Sequence, residues 1–390
     1  MPVLSQITGF VDGSGNPTTD TSQFPVYNNN AINYFTLQVP RHYVVPSVQQ
    51  YNLTIQRSLG RNFVLEVGYV GSHTVHLREV HDALQSVIVS QQNPLIVTGA
   101  NGQQFTITTN TNANALARSH YQGVNGYSAF EAFVDDAYAH YNSLQTTLSR
   151  RFANSYFQAA YTFSRSTDAG SSSNTAFNTL FNNQLNLRGS YGPSDFNRPH
   201  RLAISYLQHL PFFTHSKDWK GKLLGGWSAS GVTTFQSGEP FSIFDSGAGS
   251  AYVGLTTVPN STASLASGAT LASGLTSGSI QSRLNGYVNF NAFQKAPIIG
   301  DDGAATGFGT LGRNIYRGPF QQNWDLSLIK IFSVTEQQKV RFSADFFDLW
   351  NHPAFSPPAF TDVENPSAFG QIIGTDNNPR LIQFSLMWSF

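Results

Sequence analysis

The chain of 390 residues carries 22 basic and 22 acidic side chains, only 11% charged residues and no cysteine, where an ordinary soluble domain carries roughly 25% charged residues. Balanced charge without clustered Lys and Arg argues against a phosphate-gripping nucleic-acid surface, and the lack of cysteine excludes disulfides and thiolate metal sites. No apolar run approaches the roughly 18 residues of a spanning helix, so the aromatic residues, 13% of the chain, belong to strands and turn-rich loops.

The opening, MPVLSQITGF, lacks the basic n-region and apolar h-region of a signal peptide. Either the chain is cytosolic or its amino-terminal part lies elsewhere. From residue 48 a period of two takes over. VQQYNLTIQR (48–57) sets Tyr51, Leu53 and Ile55 on one face and Asn52, Thr54 and Gln56 on the other. After SLGRN, FVLEVGYVG (63–71) returns with Phe63, Leu65, Val67 and Tyr69 opposite Glu66 and Gly68, which predicts a hairpin. The same design recurs in 141–152 with 156–166, in 200–210 with 226–238, and in 322–332 with 339–350. The last segment, LIQFSLMWSF, puts Ile382, Phe384, Leu386, Trp388 and Phe390 on one face, with Gln383, Ser385 and Ser389 opposite.

Connections within pairs are short, apart from 211–225, whereas 72–140, 167–199, 239–321 and 351–380 are long and rich in Gly, Ser, Asn and Thr. Outer-membrane barrels segregate their connections in this way, short on the periplasmic rim and long outside. Each strand runs to about ten residues, enough to cross a bilayer at a tilt. The expected fold is therefore all-β, an antiparallel transmembrane β-barrel that is partial, with about nine to twelve strands of a larger barrel. Residues 1–46 fall on the long-loop side as an extracellular-loop-like segment, and 47–390 form the carboxyl-terminal portion of the barrel. A further strand around QQFTITTN (103–110) would change the count.

Sites of chemistry are few. His73, His76 and His81 lie close in sequence, but positions 73 and 76 point to opposite faces of a strand, so rim histidines are expected and no metal site. The glycine-rich stretch 300–314 lacks the Lys-Ser/Thr of a phosphate loop and is expected to be a flexible loop. In 194–201, Asp195, Arg198, His200 and Arg201 mark a strand entrance, where charges solvate a barrel mouth more readily than they grip an anionic ligand. Glu66, Arg341 and Asp345 are expected to face a hydrated lumen and to pair with one another. Lys330 falls on the outer face beside Leu328 and must snorkel near the turn. No nucleophilic triad spacing stands out, so neither an enzyme nor a cofactor is expected.

The segments VPSVQQYNLTIQRSLGRNFVLEVGYVGSHTVHL, YNSLQTTLSRRF, FQAAYTFSRSTD, GPSDFNRPHRLAISYLQHLPF, GGWSASGVTTFQSGEPFSI, NWDLSLIKIF and VRFSADFFDLWNHPAF resemble the carboxyl-terminal barrel of TonB-dependent receptors, in particular the Oar-like subgroup. The resemblance spans most of residues 40–390. It implies a barrel of about 22 strands, a plug, and a TonB box that couples uptake of metal chelates, glycans or peptides to the inner-membrane proton gradient. It also implies a cell outer membrane of Gram-negative type, with outer-membrane lipid and the barrel assembly machinery as partners. The TonB system joins them only if a full-length receptor exists. Phe384, Trp388 and Phe390 match the aromatic carboxyl-terminal signal by which such barrels are recognised for assembly. No plug or TonB box is recognised in these residues, so energised transport by this polypeptide alone is not expected, and the ligand is unknown.

The alternative is a secreted or surface-exposed all-β adhesion or glycan-binding module whose aromatics act as stacking platforms. The aromatic-poor stretch 256–282 favours the barrel. An uncovered barrel edge is a template for pairing, so the isolated chain is not expected to be a stable monomer.

Overall fold

A computed structural model describes residues 34–38, 42–82, 85–98, 104–111, 114, 116–119, 127–153, 155–171, 182–183, 186–213, 218–252, 261–299 and 305–390. Nine antiparallel strands, each paired with the next in chain order, make the main path of an eleven-stranded sheet, which Tyr34–Gln38 and Gly192–Pro193 join off that path. They are β1 Ser47–Gly60, β2 Phe63–Asp82, β3 Tyr127–Phe152, β4 Ser155–Asp168, β5 His200–His209, β6 Trp227–Gln236, β7 Gln321–Ser333, β8 Lys339–Phe347 and β9 Leu381–Ser389. These are the nine segments marked out by alternation.

Register divides the sheet into two chemically distinct faces. One row of directly opposed residues runs Gln56, Glu66, Thr147, Ala160, Ala203, Thr234 and Asn323. The adjacent row, on the opposite face, runs Ile55, Val67, Thr146, Tyr161, Leu202, Phe235 and Gln322. Farther along, Ser327, Asp345 and Gln383 continue the polar face, and Leu328, Ala344 and Phe384 the apolar one. Leu53, Ile55, Phe157, Phe163, Leu386 and Trp388 are exposed on the apolar face, as lipid-facing side chains must be.

The β1–β2 turn holds Arg61 at φ 49° and Asn62 at φ 63°, the left-handed pair that matches hairpin twist. Tyr51 lies across Gly71, where an added Cβ would stand 2.2 Å from the ring. Among the described residues β1 and β9 are the edges of the sheet, with every residue exposed, and both run from the long-connection rim to the short-turn rim. The strand Tyr34–Gln38 lies parallel to the start of β3. The rest of 1–41 lies outside the described residues.

Two expectations about the connections are corrected. Residues 72–140 are not all loop, because 72–82 continue β2 and 127–140 form the first half of β3. The alternation is broken there by His76 at φ 60° and by register shifts between Thr74 and Leu77 and between Leu77 and Glu79, which hide the strand from a period-two reading. QQFTITTN supplies the strand Gln104–Ile107, which pairs with Leu95–Thr98 off the main sheet and leaves the count at nine.

The connections 239–321 and 351–380 are not structureless either. Within their described residues they build a cap with its own core, in which Phe241, Ile243, Tyr287, Phe293, Leu311, Tyr316, Val363, Phe369 and Ile372 are buried together. Two-residue strands stitch it, Pro240–Phe241 to Tyr316–Arg317 and Ser264–Leu265 to Phe293–Gln294. The stretch 305–314, expected to be flexible, buries Ala305, Leu311 and Arg313; 300–304 lie outside the described residues. A Cβ on Gly309 would meet the Thr262 carbonyl at 1.7 Å, so this glycine permits close packing.

Candidate functional site

The polar face of the wall carries a recess near the short-turn rim, lined by Gln56, Glu66, Thr147, Ser149, Arg151 and Gln158. Asp345 accepts hydrogen bonds from Ser327 Oγ at 2.5 Å and Ser343 Oγ at 3.0 Å, and Ser343 Oγ lies 2.7 Å from Ser385 Oγ. Glu66, Arg341 and Asp345 share this face, but among the described residues no ion pair joins them. Strand register separates them, and hydroxyl donors take the place of Arg341 at Asp345.

Lys330 sits on the apolar face, as alternation places it, and resolves its charge at the turn rim. Its ammonium donates to the Leu223 carbonyl at 3.1 Å and to the Gly225 carbonyl. Both carbonyls end the short helix Trp219–Leu224, whose start is capped by Asp218 through the Gly221 N–H at 3.1 Å. The rings of Trp227 and Phe332 flank the ammonium. A cation at a helix carboxyl end satisfies carbonyls the helix leaves open.

At the opposite rim the four residues of 194–201 go to different neighbours. Arg198 pairs with Glu239 and donates to Gln321 Oε1 at 2.8 Å and Ser237 O at 3.0 Å. His200 Nδ1 lies 2.8 Å from the Tyr161 hydroxyl, and Arg201 opposes Thr162 and Gln236 on the polar face. Asp195 joins a node that the sequence did not reveal. Arg313, 1% exposed, pairs with Asp168 and with Asp195 at 3.3 Å, and donates to Ser190 O at 3.2 Å and Asp168 O at 2.7 Å. It ties the cap to the end of β4. Arg118 makes a second tie, donating to Asn114 Oδ1 at 2.8 Å and to the carbonyls of Val87 and Ala251. Burial brings its guanidinium down to about 10, which leaves it charged at neutral pH. In the cap, burial pushes the Asp245 carboxyl up, against the pull of the Ala296 and Gly247 N–H groups that bond to it.

The histidines separate. His73 faces His140 across the β2–β3 pair, with ring centroids 4.3 Å apart, and His140 Nδ1 reaches the Tyr191 hydroxyl at 2.8 Å. His76 is exposed. His81 alone meets carboxylates. Glu79 and His81 on β2 and Asp136 on β3 bring one possible ligand atom each within 4.8 Å of one another. His81 Nε2 stands 3.8 Å from Asp136 Oδ1, too far for a hydrogen bond. Glu79 is 2% exposed, and its Oε2, like His81 Nε2, is buried without a hydrogen-bond partner. The Glu79–His81 spacing was visible in sequence, but the arrival of Asp136 depends on the register shift in β3.

On β9, Phe384 stacks on Phe342 with centroids 6.2 Å apart, and Trp388 meets Phe390 edge-on at 6.1 Å. Phe384 and Trp388 share the apolar face, and Phe390 is 95% exposed.

A family model described as an outer membrane beta barrel domain matches residues 2–383. No curated protein matches the chain. Two solved structures from Escherichia coli are similar. The outer membrane transporter YddB aligns at 11% identity with a TM-score of 0.40, covering 90% of this chain and 33% of that one. The ferric-catecholate import receptor Fiu, from strain K12 in its closed form, aligns at 12% identity with a TM-score of 0.31, covering 88% and 38%. The chain spans between 33% and 38% of the length of these structures.

Proposed function

From the premise that this chain belongs to the outer membrane beta barrel domain family and resides in the cell outer membrane, we propose that it is the carboxyl-terminal wall and mouth of an Oar-like TonB-dependent receptor. Its role is non-enzymatic: to bind a bulky solute at the capped rim and pass it along the polar face. Plug and TonB coupling belong to the whole receptor. The observation that carries this reading is the segregation of the rims, with three short turns and the 211–225 connection at one end of the two-faced wall and an ordered cap at the other. Phe157, Phe163, Phe384 and Trp388 of the strands are exposed on the apolar face, whereas Phe241, Tyr287, Phe293, Tyr316 and Phe369 of the cap are buried in its core, with Phe196, Phe290, Phe320 and Phe360 of the long connections exposed singly around it.

A receptor must hold the cap outside the cell and the short turns in the periplasm. The native chain has no cysteine, so single cysteines at Thr270 in the cap and Glu336 in the β7–β8 turn report orientation without background. In intact cells a membrane-impermeant maleimide should label Thr270→Cys and spare Glu336→Cys until the outer membrane is opened. Labelling of the turn cysteine in intact cells, or extraction of the chain by alkaline carbonate, would overturn the reading.

A further inference from the structure

We propose that Glu79, His81 and Asp136 form a binding site for a divalent first-row transition metal ion at the cap end of the wall. Glu79 and His81, two residues apart on β2, share a face by strand geometry. Between the pairs Leu77–Ala137 and Glu79–Val134, β3 advances by one residue more than β2. Such a bulge re-aims side chains, and here it brings the Asp136 carboxylate to the other two groups.

Charge and burial favour an ion in this place. Arg313, the nearby cation, attracts the Glu79 carboxylate and also pairs with Asp168 and Asp195, so its one charge is shared among three carboxylates. Gly170 closes over Glu79, where a Cβ would lie 3.3 Å from Oε1. A buried carboxylate oxygen and a buried imidazole nitrogen are thus left without partners beside a second carboxylate, an arrangement that costs free energy unless a proton or a metal cation joins it. The 3.8 Å between His81 Nε2 and Asp136 Oδ1 falls within the roughly 3.4 to 4.2 Å that two metal bonds of about 2.1 Å span. One imidazole with two carboxylates suits Zn²⁺, Mn²⁺ or Fe²⁺ better than the all-oxygen preference of Ca²⁺ and Mg²⁺. The inference goes beyond the receptor reading and does not depend on it.

The test is calorimetric titration of Zn²⁺ into the full chain, purified in detergent from outer membranes and stripped with chelator. Co²⁺ substitution supplies a visible spectrum as a second readout. The wild type should bind one equivalent. His81→Ala and Glu79→Gln should each weaken binding by at least about tenfold and abolish the Co²⁺ band, with the far-ultraviolet circular dichroism of the protein unchanged. His73→Ala should bind as the wild type does. No stoichiometric uptake by folded wild-type protein would overturn the proposal. So would His81→Ala affinity within about twofold of wild type, or an equal loss in His73→Ala.

Discussion

The Lys330 ammonium, carried on the lipid-facing side of β7, donates to the carbonyl of Leu223 at 3.1 Å. It thereby closes the carboxyl end of a helix that belongs to a different connection. Lys330→Met keeps the length and removes the donor, leaving two carbonyls at the membrane edge without their charged partner. The expected cost is about 1–3 kcal/mol, read as an earlier urea midpoint for the detergent-folded protein with an unchanged slope.

Arg313 and Lys295 offer a contrast between buried and exposed ion pairs. Arg313→Ala leaves Asp168 buried beside an empty space, which costs about 3–5 kcal/mol, and should release the cap to proteolysis between 305 and 317. Lys295 pairs with Glu364 in a solvent-exposed position, where an ion pair contributes about 0–1 kcal/mol. Lys295→Ala should leave the cleavage rate near wild type. Equal protection in both variants would mean that the cap does not hang on Arg313.

The two faces of the wall make opposite predictions for one substitution. Leu326 lies on the apolar row and Thr234 on the polar one. Leu326→Arg should cost about 2–4 kcal/mol of insertion free energy at bilayer mid-depth and lower the folded fraction in vesicles. Thr234→Arg should insert with nearly wild-type yield.

Asp245 gives the cap a dependence on pH. Burial raises its folded-state value above that of the unfolded chain, so the folded cap binds more protons in the interval between the two values. Stability therefore falls as pH rises from the ordinary aspartate value through the raised one. Asp245→Asn should flatten that part of a pH series of cap proteolysis. A slope of the opposite sign in the wild type would contradict the assignment.

If Phe384, Trp388 and Phe390 serve as the assembly signal, deletion of Phe390 should lower the outer-membrane fraction of the chain and raise its periplasmic fraction. The strand itself should survive, because β9 keeps its pairing with β8 from Leu381 to Ser389 and Phe390 is 95% exposed beyond it.

The wall was legible in the sequence because two solvents act on it. Lipid on one side and water on the other impose a period of two on every strand, and Tyr51, Leu53 and Ile55 announce it as plainly as Phe384, Leu386 and Trp388 do. The cap was not legible. Its core draws single residues such as Phe241, Tyr316 and Ile372 from positions far apart in Gly- and Ser-rich text, where no local period gathers them. Arg313 reaches Asp168 across 145 positions and Asp195 across 118, so nothing near it in sequence signals a buried ion. The upper halves of β2 and β3 were hidden by the bulge that also delivers Asp136.

The free edges obey a rule of parity. β1 and β9 run in the same sense, so bringing them together would pair parallel strands, and so would setting two identical copies side by side in one membrane. Sealing with antiparallel pairs therefore requires an odd number of intervening strands at each seam, whichever polypeptide supplies them. Any partner for this arc is screened by strand parity before a single side chain is compared.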